Sequence, residues 1–213
     1  FCVSCQHAST LRHCRDYLTD APAQETIFIT REDIEGERNR LLAKKNPGEA
    51  LEASTDEALE RLHLCRRIAE LLPKYDRVLF HGSSLAVDGR GVLFTAKSGT
   101  GKSTHTRLWK QVLGDRAVMV NDDKPFLELT ANGVILHGSP WSGKHGLASN
   151  VCVPLKGICS LQRGNENRIE PAEPEALHEL LDQQVHIPED QALAQKVYPL
   201  LTRLAQTVPL WTM

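Results

Sequence analysis

Apolar residues recur along this chain at two spacings. Between 56 and 72 the interval is helical: Ala58, Leu59, Leu62, Cys65, Ile68, Ala69 and Leu72 form one stripe. Ser54 or Thr55 stands as its cap, and Pro73 ends it. Beyond it the pattern shortens to strands. Val78-Leu79-Phe80 is closed by His81-Gly82. Leu85-Ala86-Val87 leads through the turn pair Asp88-Gly89 into a strand over Gly91–Thr95. Helical spacing returns over 103–112, and Ala117–Val120 is a further apolar strand. Phe126–Thr130 and Val134–His137 flank Ala131-Asn132-Gly133 as a second hairpin. A strand over 155–163, helices over 173–183 and 190–205 separated at Ile187-Pro188, and a strand over Val208–Met213 complete the pattern. Upstream, Thr26–Thr30 is a short strand. Residues 31–54 are polar and charged, break at Asn46-Pro47-Gly48, and predict a loop or mobile segment.

A strand–helix alternation alone gives a parallel sheet. Here hairpins precede and follow the strand over 91–95, so the expected fold class is α/β, a mixed β-sheet with flanking helices. The expected organisation is an N-terminal segment, 1–54, packing on or extending the core, and one compact domain over 55–213.

Composition changes this picture little. The chain has 213 residues, 41% hydrophobic and 24% charged, with a net charge of −2. That is a globular profile with no basic excess for nucleic acid. No apolar run reaches the length of a membrane span, and no signal-peptide pattern is seen. Cys2-x-x-Cys5 with Cys14 and His7 or His13 is a candidate zinc cluster. No second C-x-x-C pair closes it, so free thiols are the expected state. Cys152 and Cys159 lie in an apolar stretch and are expected as small core residues.

The candidate chemistry begins at the end of the strand over 91–95. Ala96-Lys-Ser98-Gly99-Thr100-Gly101-Lys102-Ser103 meets the phosphate-loop pattern G-x-x-x-x-G-K-[ST] everywhere except its first position. Gly99 and Gly101 admit positive φ and a close ligand. A helix opening at Lys102-Ser103-Thr104 points free N–H groups and its positive dipole end at the same turn. Lys102 would reach the β- and γ-phosphates, and Ser103 would place its hydroxyl on Mg²⁺. The expected ligand is ATP with Mg²⁺, held by Ser98, Gly99, Thr100, Gly101, Lys102, Ser103 and Thr104, and the expected compartment is a reducing cytoplasm. Twenty residues after Lys102, an apolar strand ends in Asp122-Asp123. One carboxylate can serve the metal and the other can take a proton from a hydroxyl. His81 is a third candidate. The loop Ser139-Pro-Trp141-Ser142-Gly143-Lys144-His145 is a candidate second-substrate loop, and His105 and Arg107 are candidates for the same site.

The ordered set His81-Gly82, a short hairpin, Ser98-Gly99-Thr100-Gly101-Lys102-Ser103 and Val120-Asn-Asp122-Asp123 resembles the HPr kinase/phosphorylase and phosphoenolpyruvate carboxykinase superfamily. The match is strong over about residues 78–130 and weaker to about 165. The resemblance implies a mixed sheet with flanking helices. It implies Asp122 as base, Asp123 as metal ligand with Ser103, and His81 and Lys102 at the catalytic centre. Ala96 and Lys97 replace the glycine and acidic residue that open the family's loop. Pro140-Trp141-Ser142-Gly143-Lys144-His145-Gly146 stands in place of the family's Pro-Gly-Arg-Asn segment. The reading is therefore an HPr kinase-like phosphotransferase acting on an unassigned hydroxyl: a protein or peptide serine, or a small hydroxylated metabolite. The alternatives are a carboxykinase-like enzyme, against which the short length counts, and a nucleotide-binding regulatory protein without turnover.

Overall fold

The computed structural model describes residues 1–44, 55–172 and 181–213. The chain divides into two compact units, Phe1–Ile68 and Ala69–Met213. The division falls inside a helix rather than before it.

In the first unit, β1 (Cys2–Ser4) pairs in parallel with β2 (Thr26–Phe28), and α1 (Ala8–Cys14) lies between them in sequence. α2 spans Arg31–Lys44 and α3 spans Asp56–Leu71. Glu60 of α3 is fully buried because its carboxylate serves the start of α1. It accepts from the N–H groups of Gln6 and His7 and from the Thr10 hydroxyl. Over 31–44, α2 replaces the loop or mobile segment expected for 31–54; residues 45–54 lie outside the described residues. Its start is a reciprocal cap: Asp33 Oδ2 accepts from Thr30 N at 2.8 Å, and Thr30 Oγ1 accepts from Asp33 N at 3.2 Å. The helix faces inward with one apolar residue, Ile34, and with a charge. Glu37 is 3% exposed and paired with Arg66 at 2.8 Å and His63 at 3.6 Å. A helix held this way carries no apolar stripe. The turn at Asn46-Pro47-Gly48 lies outside the described residues.

In the second unit the strands are β3 (Arg77–Leu79), β4 (Ser83–Val87), β5 (Arg90–Thr95), β6 (Ala117–Asn121), β7 (Phe126–Thr130), β8 (Gly133–His137), β9 (Cys152–Ser160), β10 (Glu170–Pro171) and β11 (Leu210–Thr212). They form one nine-stranded sheet in the order β3-β7-β8-β9-β5-β4-β6, with β11 beside the second half of β9 and β10 beside β11. β5–β9 and β9–β11 are parallel and the other pairs antiparallel, so the sheet is mixed. The β4–β5 hairpin turns at Asp88 (φ 48°) and Gly89 (φ 74°), both left-handed, as a two-residue primed turn requires.

Successive residues of β5 face opposite ways and build two cores. Leu93 joins Phe80, Leu136 and Ile158 with the Val197, Leu200, Leu201 and Leu204 face of α5 (Gln191–Thr207). Phe94 joins Leu85, Ala117 and Cys159, covered by Trp109 and Leu113 of α4 (Lys102–Leu113). Helices therefore flank both faces. The strand expected over 155–163 begins earlier, at Cys152, whose side chain is exposed rather than in the core; Cys159 is buried. Of the helix expected over 173–183, residues 173–180 lie outside the described residues, and 181–184 are helical. No helix among the described residues is long and apolar enough to cross a membrane.

Candidate functional site

The carboxyl end of β5 is the centre of the site. The chain leaves Thr95, turns with Thr100 N donating to Lys97 O at 3.2 Å, and enters α4 at Gly101. Gly99 and Gly101 have φ of 78° and 118°, with open space around both. Their role is conformational, and they leave the loop backbone accessible. Ser98, Gly99 and Thr104 are exposed; Thr100, Lys102 and Ser103 are half-buried. The first intrahelical bond runs from His105 N to Gly101 O at 2.9 Å, so the preceding N–H groups of α4 point out of the helix end. Lys102 folds back, its Nζ donating to Ala96 O at 2.9 Å. Burial pushes its pKa below the usual lysine value, while the carboxylates of Asp123 and Asp122 pull it back up. The loop's cation thus already senses both carboxylates.

Those carboxylates stand where β6 ends, and Asn121 fixes them. Its Oδ1 accepts from the N–H groups of Asp123 (2.8 Å) and Lys124 (2.7 Å), an Asx turn. Its Nδ2 donates to Ser139 O (2.9 Å) and Oγ (3.1 Å), and Ser139 Oγ donates to Lys124 O at 2.6 Å. The two neighbours then diverge. Asp122 is 6% exposed; its Oδ1 accepts from Ser83 Oγ at 2.5 Å, and Ser83 Oγ lies 2.7 Å from Thr106 Oγ1 of α4. Asp123 is more open. Its Oδ1 lies 3.4 Å from His81 Nε2, and its Oδ2 takes the Lys124 ammonium. His81 is held below the ordinary histidine value by burial, with Lys102 and Lys124 acting the same way and Asp123 opposing.

The structure thus gathers Lys102, Asp122, Asp123 and His81 around one strand end. It gives the loop after β8 a largely supporting part. Ser139 is fully buried in the Asn121 network, and Trp141 is 9% exposed with its ring 6.2 Å from Phe126. Ser142 is 7% exposed. Ser139 and Trp141 hold the loop from within, and Ser142 is buried beside them in sequence. Gly143 (φ 71°) passes Asp123 so closely that a Cβ there would stand 3.1 Å from Asp123 Cβ. His145 is exposed, and Lys144 lies in the same 3-10 turn. His105 belongs to the core: its ring packs edge-on against Phe94 at 4.7 Å, and its Nε2 accepts from Trp109 Nε1 at 3.0 Å. Arg107 is exposed, donating to Ser103 O at 3.2 Å.

Further residues border the site. Ser83 and Thr106 tie Asp122 to α4, Asn121 sets the acidic turn, and Arg163 donates to Gly99 O at 2.7 Å. Asn121 had a signal, an Asn directly before two carboxylates at a strand end. Arg163 had none, since only the β5–β9 pairing brings it to the loop. On that β9 side a cleft of about 520 Å³ borders Ala96, Lys97 and Thr100. Among the described residues no cluster of three or more His, Cys, Asp or Glu side chains could hold a metal ion alone. The oxygens of Ser103 and Asp123 suit Mg²⁺ that completes its shell with phosphate and water.

No family model matches the chain, and no curated protein matches it. Among solved structures it is similar to the Hpr(Ser) kinase/phosphatase from Coxiella burnetii. The identity is 17%, covering 58% of this chain and 88% of that one, at a TM-score of 0.33. The site residues are therefore weighed on their own geometry.

Proposed function

We propose that this protein is an ATP-dependent kinase that transfers the γ-phosphoryl group to a hydroxyl acceptor. The observation that carries this reading is the convergence at the end of β5. An open glycine loop and a helix N-terminus present N–H groups, and Asp122 is tied through Ser83 to Thr106 of that same helix.

Residues 98–104 cradle the phosphates through backbone N–H groups. Lys102 exchanges its bond to Ala96 O for a phosphate oxygen and offsets negative charge as the phosphoryl group moves. Ser103 and Asp123 would supply the protein ligands to Mg²⁺, which when bound would neutralise charge on the phosphates. His81 borders Asp123 and faces the acceptor side. Asp122 accepts the acceptor's proton; its Oδ1 is engaged by Ser83, which orients the carboxylate toward α4.

A second reading is a nucleotide-binding protein without turnover, and one observation favours it. Asp122 is 6% exposed and already hydrogen-bonded, which suits a structural carboxylate. Labelled ATP with serine-bearing peptides and hydroxylated metabolites separates the two. The kinase reading expects transfer that Asp122→Asn abolishes while ATP binding persists. Transfer retained in Asp122→Asn removes the base assignment, and ATP binding with no transfer to any acceptor favours the second reading.

A further inference from the structure

The glycine loop has two sides. On the β4 and β6 side stand His81, Asp122 and Asp123. On the β9 and β11 side lies the cleft of about 520 Å³, walled by Leu161, Leu210 and Ala172, with the loop itself forming one edge. None of His81, Asp122, Asp123 or the 139–145 loop lines it. The cleft opens where the parallel strands β5, β9 and β11 end, the place where α/β sheets take ligands. Its size is in the usual range for a small-molecule site, roughly 300–1,000 Å³.

One wall group is anomalous. Gln184 lines the cleft, and its amide oxygen is buried with no hydrogen-bond partner among the described residues. A buried unpaired carbonyl is costly, and a ligand that donates to it removes that cost. The terminal torsion of a glutamine is soft, so a small rotation presents the amide to a ligand in the cleft. The residue's backbone is fixed meanwhile, since its carbonyl accepts from His81 N at 2.7 Å.

We infer that this cleft is the nucleoside subsite and that Gln184 reads the edge of a purine base. The inference rests on the proposed binding of a nucleoside triphosphate by the glycine loop. Phosphates lying along the loop leave the nucleoside two exits. The side with His81 and the carboxylates is charged and must admit the acceptor. The other side offers the aliphatic side chains of Leu161, Leu210 and Ala172 among polar neighbours, with Lys97 and Arg163 at the loop, and an amide oxygen without a partner among the described residues. A purine suits both features, because its ring stacks between aliphatic side chains and its amine or ring N–H donates to the amide oxygen.

The test is titration of ATP and of inorganic tripolyphosphate, each with Mg²⁺, into the wild type, Gln184→Leu and Ala172→Trp. The wild type is expected to bind ATP at least about tenfold tighter than tripolyphosphate. Gln184→Leu should narrow that gap and Ala172→Trp should close it, both with tripolyphosphate affinity unchanged, which also reports that the variants are folded. Equal wild-type affinity for the two ligands overturns the subsite while the phosphate-binding loop stands. So does a gap that survives both substitutions. Failure of the wild type to bind either ligand removes the loop reading and the subsite together.

Discussion

The two sides of the glycine loop are built on opposite principles. On the β4 and β6 side nearly every polar atom is spoken for: Asn121, Ser139, Lys124, Ser83 and Asp122 form a buried hydrogen-bonded network, with His81 set against Asp123. On the β9 and β11 side the loop meets an open cleft, one exposed bond from Arg163, and an amide oxygen with no partner among the described residues. The first arrangement fixes charges before any ligand arrives, which is what charge stabilisation in a transfer reaction demands. The second leaves shape and hydrogen-bonding capacity to be completed by the ligand.

Substitutions that strike the fixed side should therefore cost most. Gly138→Ala is the harshest, because a Cβ there would meet the Ser149 carbonyl oxygen at 1.9 Å. Denaturant unfolding should show a loss of about 4 kcal/mol or more, since backbone must move. A loss under about 1 kcal/mol would mean that this side is not rigid. Ser139→Ala takes the hydroxyl donor from the Lys124 carbonyl and leaves Asn121 Nδ2 only the Ser139 backbone oxygen, and should cost about 1–3 kcal/mol. It should lower transfer more than ATP binding.

Acidification sharpens the contrast next. His81 and the buried His63 are both held below the ordinary value of 6.5. The unfolded chain therefore takes up protons first as pH falls, so stability declines below about pH 6.5 and is fully present above it. Urea midpoints at about pH 7.5 and about pH 5.5 read this directly. Transfer should show an acid limb below 6.5 that His81→Asn removes; an unchanged limb would take His81 out of the site. Arg163→Ala should have the smallest effect on stability, under about 1 kcal/mol, because its bond is exposed. A cost larger than that of Ser139→Ala would reverse the comparison.

What the sequence disclosed follows from the range of the interactions. The β4–β5 hairpin and the Asp122-Asp123 strand end were legible because Asp88-Gly89 and the apolar run over 117–120 are local signals. α2 was not, because its buried anchor is Glu37, a residue type that reads as surface until Arg66 and His63 are found beside it. Its Thr30–Asp33 cap was a usable signal passed over. Trp141 was ambiguous: a glycine-rich loop with an aromatic residue suits ligand display or packing, and only its contact with Phe126 decides for packing. Arg163 and Gln184 reach the loop's surroundings solely through sheet order, to which single-sequence periodicity is blind.

The central claim is that the loop from Ala96 to Ser103 holds the phosphates of a nucleotide. Isothermal titration of ATP-Mg²⁺ into the wild type and Lys102→Ala tests it most directly. The account predicts saturable binding by the wild type that the variant loses, with both proteins folded. No binding by the folded wild type, or equal binding by both, would contradict it.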